Sequence, residues 1–124
     1  MEHALVVDDS RAVRRLLAQA LEDMGYEVSQ AENGRRALEE LHALTEPVSL
    51  ILTDWNMPEM NGLEFLKEVR KQSDLDSVPV IMVTTETEME HMAAALEAGA
   101  NEYVMKPFTR EILTDKLRLA GVKL

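Results

Sequence analysis

A chain of 124 residues is enough for one domain with a sizeable core, and it needs no covalent staple. It has no cysteine, which excludes thiolate metal sites, thiol catalysis and a disulfide framework together. Thirteen Lys and Arg against 23 Asp and Glu leave a formal net charge of −10, and residues 72–105 carry seven acidic side chains and no Lys or Arg, so no basic face for nucleic acid is expected.

Apolar runs and helical patterns alternate from the start of the chain. Ala4-Leu5-Val6-Val7 is a short run, apolar on both faces, closed by Asp8-Asp9. Val13, Leu16, Leu17, Ala20, Leu21 and Met24 then recur on one helical face, and Gly25 stands where a helix C′ residue belongs. Residues 26–30 alternate apolar and polar, which predicts a strand with one exposed side. Ala37, Leu38, Leu41 and Leu44 mark a second helix, and Val48-Ser49-Leu50-Ile51-Leu52 a third strand ending at Thr53-Asp54. Pro58 and Gly62 bracket a loop before a helix through Leu63, Leu66 and Val69. Val80-Ile81-Met82-Val83 is a fourth strand, with Pro79 tolerable near its start. Met89, Met92, Ala93 and Leu96 predict the core face of a fourth helix, ended by Gly99. Tyr103-Val104-Met105 makes a fifth strand, and Leu113, Leu117 and Ala120 a last helix.

Five strand–helix units in succession predict an α/β fold. Strands apolar on both faces need helices on both sides, so the sheet is expected to be parallel and the whole a three-layer sandwich. The second strand is the most polar and belongs at an edge. The flavodoxin-like (βα)5 order 2-1-3-4-5 puts it there, within one domain spanning residues 1–124. No apolar run reaches the roughly 20 residues of a membrane span and no signal peptide opens the chain, so a soluble cytoplasmic protein with no membrane partner is expected.

In such sheets ligands sit beyond the carboxyl ends of the strands, near the point where strand order reverses. Strand one ends in Asp8-Asp9, strand three in Asp54, strand four in Thr84 and strand five in Lys106. Asp9 or Ser10 could simply cap a helix, and Asp54, Thr84 and Lys106 each have bland readings of their own. Their joint occurrence on adjacent strands is what points to a site. Three crowded carboxylates repel unless a cation is present, and Mg²⁺, a hard ion with oxygen ligands, suits them. A carboxylate beside it can attack phosphorus and form an aspartyl phosphate. Lys106 supplies a point charge for one phosphoryl oxygen and Thr84 a hydroxyl for another.

At these residues the chain resembles the receiver domains of two-component response regulators. The resemblance rests on Val6-Val7-Asp8-Asp9, the segment Asp54-Trp55-Asn56-Met57-Pro58-Glu59-Met60-Asn61-Gly62, Val83-Thr84, and Lys106-Pro107-Phe108. It covers essentially the whole chain, and the Asp54–Pro58 run is most like the single-domain chemotaxis members. The resemblance implies that Asp54 accepts phosphate from a histidine kinase. It implies that Asp8, Asp9, Asp54 and the Asn56 backbone carbonyl arrange Mg²⁺, Asp8 partly through water. Thr84 and Lys106 would bind the phosphoryl group, and Thr84 with Tyr103 would form a switch pair, Tyr103 turning inward on phosphorylation. The Lys106-Pro107 peptide is a cis candidate on the same ground. Asn56 and Glu86, two residues after Asp54 and Thr84, would place the water that hydrolyses the phosphate and so set its lifetime. The implied protein is a phosphoacceptor with self-phosphorylation and autodephosphorylation chemistry only. It would be a monomer when unphosphorylated, and its fourth helix, fifth strand and fifth helix would present a face to a protein target such as a flagellar motor.

Two departures bear on that target. Glu88 and Met89 stand where chemotaxis members often carry lysines, and Ser10 stands where a large apolar residue is common. A sporulation, cell-cycle or phosphorelay role therefore stays open, as does excision from a longer regulator, although the end at Leu124 predicts no attached output domain. The rival from another class is a Mg²⁺-dependent phosphohydrolase with an aspartyl-phosphate intermediate. Asn56 stands where its general acid would be needed, and no cap fits into this length. A flavin carrier shares the fold, but Asp8-Asp9 would repel the phosphate its first loop should cradle. His3, His42 and His91 lack metal-ligand spacing and are read as surface residues, and most of the eight methionines as packing.

Overall fold

The computed structural model describes residues 2–124. Strands β1 (His3–Val7), β2 (Glu27–Ala31), β3 (Leu50–Thr53), β4 (Val80–Thr84) and β5 (Glu102–Met105) alternate with helices α1 (Arg11–Asp23), α2 (Gly34–Ala43), α3 (Gly62–Arg70), α4 (Met89–Glu97) and α5 (Arg110–Leu119). The strands form one parallel sheet in the order β2-β1-β3-β4-β5. The predicted fold class, order and edge position of the polar strand are all present. Boundaries differ by a residue or two: β2 begins at Glu27 and β3 at Leu50. A short 3-10 turn, Ser73–Leu75, was not foreseen.

Alternate residues of the central strands feed two cores. Leu5, Val7, Ile51, Val80 and Met82 face α2, α3 and α4 through Ala37, Phe65, Leu66, Val69 and Ala95. Ala4, Val6, Leu50, Leu52, Ile81, Val83 and Val104 face α1 and α5 through Leu17, Ala20, Leu21, Leu113 and Leu117. Both faces of β1, β3 and β4 are therefore buried, which is why those strands read as unbroken apolar runs.

Helix starts are fixed by side-chain caps. Ser10 accepts from the Val13 amide, Asn33 from Arg36 and Thr109 from Ile112, while Asn61 and Glu64 form a reciprocal capping box on α3. Gly25 follows α1 at φ 99°, a left-handed position in which a side chain would be strained.

The expected core face of α4 is wrong. Met89 is 84% exposed, and Ala93 and Leu96 also face outward. Ala95 is the buried residue, supported by Met92, Ala94 and Ala98. Methionine, alanine and leucine lie all round this helix, so apolar spacing does not choose a face.

Candidate functional site

Register places the site. Val7 pairs with Thr53, so Asp8 and Asp54 leave β1 and β3 at one level; Thr53 pairs with Met82 and Thr84 with Met105, so Thr84 and Lys106 stand one and two residues further along on β4 and after β5. Asp8, Asp54 and Lys106 are the first residues past their strands, with Thr84 at the end of β4. The backbone holds them individually: the Asp8 amide donates to the Ala31 carbonyl at 3.1 Å, the Asp54 amide to Val7 at 2.9 Å, and the Lys106 amide to Thr84 at 2.9 Å.

Lys106 Nζ lies 2.7 Å from Asp8 Oδ2 and 3.2 Å from Asp54 Oδ2, so one ammonium bridges two buried carboxylates. The remaining oxygens are also engaged. Asp54 Oδ1 accepts from the Trp55 amide at 2.7 Å, and Asp8 Oδ1 from the Ser10 amide at 2.8 Å. Asp9 is exposed at the rim, and oxygens of Asp8, Asp9 and Asp54 lie within 4.8 Å of one another. Burial raises the Asp8 carboxyl pKa, and the neighbouring Asp54 charge adds to it, against the lowering effects of Lys106 and the Ser10 amide. Desolvation pulls Lys106 down, but the hydrogen bond to Asp8 and the charge of Asp54 outweigh it and leave the ammonium favoured. Three carboxylates facing one ammonium remain short of positive charge. Hard oxygen donors with excess negative charge fit a divalent cation such as Mg²⁺.

Thr84 is fully buried, and its hydroxyl oxygen accepts from the Glu86 amide at 3.2 Å. Tyr103, on β5, is turned inward and buried, its hydroxyl donating to the Glu86 carbonyl at 2.9 Å. Burial, with the charges of Glu86 and Asp54, pushes the phenol up to about 12, so it stays a donor. The Lys106-Pro107 peptide is cis. Asn56 is exposed on the loop after Asp54, and its side chain meets that of Glu86. Every residue singled out from the sequence thus lies at this end of the sheet.

Three features were missed. His91 is not a free surface residue: its ring stacks on Trp55 with centroids 4.8 Å apart and planes 29° from parallel. His3 is largely buried too, with Nε2 2.8 Å from Ser29 Oγ, whereas His42 is exposed, as read from the sequence. Gly62 packs its α-carbon onto the Asp54 backbone, where a β-carbon would fall 2.0 Å from the Asp54 carbonyl oxygen. Its amide donates to the Trp55 carbonyl at 2.8 Å, fastening α3 to the loop that carries Asp54. The Asp-to-Gly spacing in the sequence could have signalled this contact. Nothing local signals the His91 stack.

Residues 4–118 match the family model of the response regulator receiver domain. Chemotaxis protein CheY1 of Helicobacter pylori is 47% identical over 116 residues, 93% of each chain. A chemotaxis protein CheY homolog of Campylobacter jejuni is 46% identical over 114 residues, 91% of this chain and 87% of that one. The crystallised chemotaxis protein CheY4 of Vibrio cholerae superposes with a TM-score of 0.86 at 40% identity, covering 95% of this chain and 97% of its own. The chain belongs to the response regulator receiver domains and is of the CheY type, the phosphorylation-activated switch of two-component signalling.

Proposed function

We propose that this receiver domain takes a phosphoryl group onto Asp54 from a histidine kinase of a chemotaxis pathway and thereby changes its affinity for a protein target. The observation that carries this reading is Lys106 bridging Asp8 and Asp54, with Thr84 fully buried at the end of the neighbouring strand. Asp54 presents an oxygen as nucleophile and is held by the Trp55 amide through the other. The new bond runs from that oxygen to phosphorus, and the bond to the donor breaks with its electron pair leaving on the donor. Positioning and charge neutralisation dominate such transfers. Lys106 is already at the Asp54 carboxylate and can follow the added negative charge. The Thr84 hydroxyl can donate to a phosphoryl oxygen once it rotates.

Asp8, Asp9, Asp54 and the Asn56 carbonyl would hold Mg²⁺, which supplies charge neutralisation on the phosphoryl oxygens when bound. Asn56 and Glu86, whose side chains meet at the rim, would orient a hydrolytic water. The output face is that of α4, β5 and α5, where Met89, Leu96 and Ile112 are exposed apolar side chains. The domain acts stoichiometrically, as a phosphoacceptor with self-phosphorylation and autodephosphorylation only, in the cytoplasm and as a monomer before phosphorylation.

The test is intact-mass spectrometry after treatment with acetyl phosphate and Mg²⁺. Wild type is expected to gain one phosphoryl group, and Asp54→Asn none. Labelling of Asp54→Asn would refute the assignment. Release of inorganic phosphate from an added phosphomonoester, in many turnovers, would favour a phosphohydrolase instead.

A further inference from the structure

His91 lies in the first turn of α4, yet it reaches back to the end of the sheet. One face of its ring covers the Trp55 indole, next in the chain to Asp54. Its Nδ1 is buried without an aligned hydrogen-bond partner, and the nearest acceptor is Glu86 Oε1 at 2.9 Å, a close charge contact. Glu88 Oε2 stands farther off, at 3.9 Å, on a more exposed side chain. Glu86 is thereby held from several sides. His91 meets its carboxylate, the Glu88 amide donates weakly to Oε1 at 3.4 Å, and the Asn56 side chain lies against it. The Glu86 carbonyl is fixed separately, by the Tyr103 hydroxyl.

Packing alone does not account for the imidazole. Any flat ring would stack on Trp55, but a ring without nitrogen would bury no polar atom beside the carboxylate. The pairing also holds Glu86 ionised, lowering its pKa through the adjacent imidazolium, and raises that of His91 in return.

We propose that His91 is a positioning residue for dephosphorylation, holding the Glu86 carboxylate beside Asn56 where the attacking water enters. The proposal rests on the reading of Asp54 as phosphoacceptor. In that step the water oxygen bonds to phosphorus as the phosphorus–oxygen bond to Asp54 breaks. The electron pair returns to the Asp54 carboxylate, inorganic phosphate leaves, and the proton of the water passes to solvent. Glu86 accepts a hydrogen bond from the water and sets its line of approach. His91 touches neither water nor phosphorus; it fixes the group that does.

Two substitutions separate the ring from the nitrogen. His91→Phe keeps the stack on Trp55 and loses Nδ1, whereas His91→Asn loses the stack and carries an N–H at the same distance from the backbone. Phosphoryl decay from Asp54 is followed by intact mass after removal of acetyl phosphate, together with the initial rate of uptake. His91→Phe is expected to decay about three- to tenfold more slowly than wild type at an unchanged uptake rate, and His91→Asn to recover most of the wild-type rate. In a Glu86→Leu background, His91→Phe should add no further slowing. Wild-type decay in His91→Phe, or equal slowing in both His91 variants, would overturn the proposal and leave the histidine a packing residue. If wild type gains no phosphoryl group on Asp54, the functional reading itself fails, and this proposal with it.

Discussion

Gly62→Ala isolates the contact between α3 and the loop bearing Asp54. A β-carbon there would fall 2.0 Å from the Asp54 carbonyl oxygen, 2.9 Å from its carbonyl carbon and 3.0 Å from the Trp55 α-carbon. All three are backbone atoms, so no side chain can swing aside, and the loop must retreat by roughly 1 Å or more from a packed interior. Overpacking typically costs about 1–3 kcal/mol, and a clash confined to backbone belongs at the upper end, about 2–3 kcal/mol. For a domain of this size that lowers Tm by roughly 8–12 °C. Gly25→Ala is the control. It meets open space but sits at φ 99°, so it should cost about 1–2 kcal/mol of conformational strain and leave the site alone. Thermal unfolding by circular dichroism gives the stabilities, and uptake from acetyl phosphate reports the position of Asp54. Gly62→Ala should lose both stability and uptake rate, and Gly25→Ala stability only. A Gly62→Ala protein melting within about 2 °C of wild type, with normal uptake, would refute the steric reasoning.

Titration with Mg²⁺ should change Trp55 fluorescence, because the indole follows directly on Asp54; Asp9→Ala should remove that response, and a persistent response would take Asp9 out of the metal site. The Asn56→Met, Glu86→Leu double variant should hold its phosphoryl group longer than wild type, since apolar side chains at the rim cannot orient water; equal or faster decay in the same mass assay would contradict this. Asp8→Asn should raise the metal-free Tm at neutral pH while weakening Mg²⁺ binding. The folded-state pKa of Asp8 lies above its unfolded value near 3.8, so its charge opposes folding at neutral pH. That penalty appears as pH rises from 3.8 through the folded pKa. The gain from Asp8→Asn should therefore fade below pH 3.8, where Asp8 is protonated in both states, and a neutral-pH loss in Tm would show that pairing with Lys106 outweighs desolvation.

The candidate site was legible because the fold gathers its polar residues at the ends of the apolar runs. Asp8, Asp54 and Lys106 each follow the last residue of a strand, and Thr84 is itself such a residue, so reading where apolar runs stop also found the residues that come together there. One polar strand was enough to choose the sheet order, since only an edge tolerates it. Contacts depending on how a helix is rotated were not legible. The outward turn of Met89 and the inward turn of His91 are one fact, the orientation of α4, and its composition does not specify it. Arg70 makes the same point. Its guanidinium donates to the carbonyls of Leu75, Val78 and Gly99 and to the Asn101 side chain, tying the end of α3 to the turns before β4 and β5. In the sequence it is an ordinary basic residue at the end of a helix.

The orientation of α4 also bears on how the site can speak to the output face. Tyr103 is held inward by one hydrogen bond, to the carbonyl of Glu86. The loop between β4 and α4 that offers this carbonyl also carries the Glu86 side chain, and its amide at Glu86 donates to Thr84. On the proposed function, a movement of Thr84 toward a phosphoryl group would therefore pull on the acceptor of the Tyr103 hydroxyl through two residues. A buried hydrogen bond contributes about 0.5–1.5 kcal/mol net, which shifts a two-state side chain by several-fold in population without remaking the core. His91 grips the same Glu86 from α4 and leans on Trp55 beside Asp54, so the helix and the loop bearing Asp54 are joined at the residue to which Tyr103 is bonded. A displacement of the loop after β4 would thus reach α4 and β5 together, and these are the elements whose outer surfaces form the proposed target face.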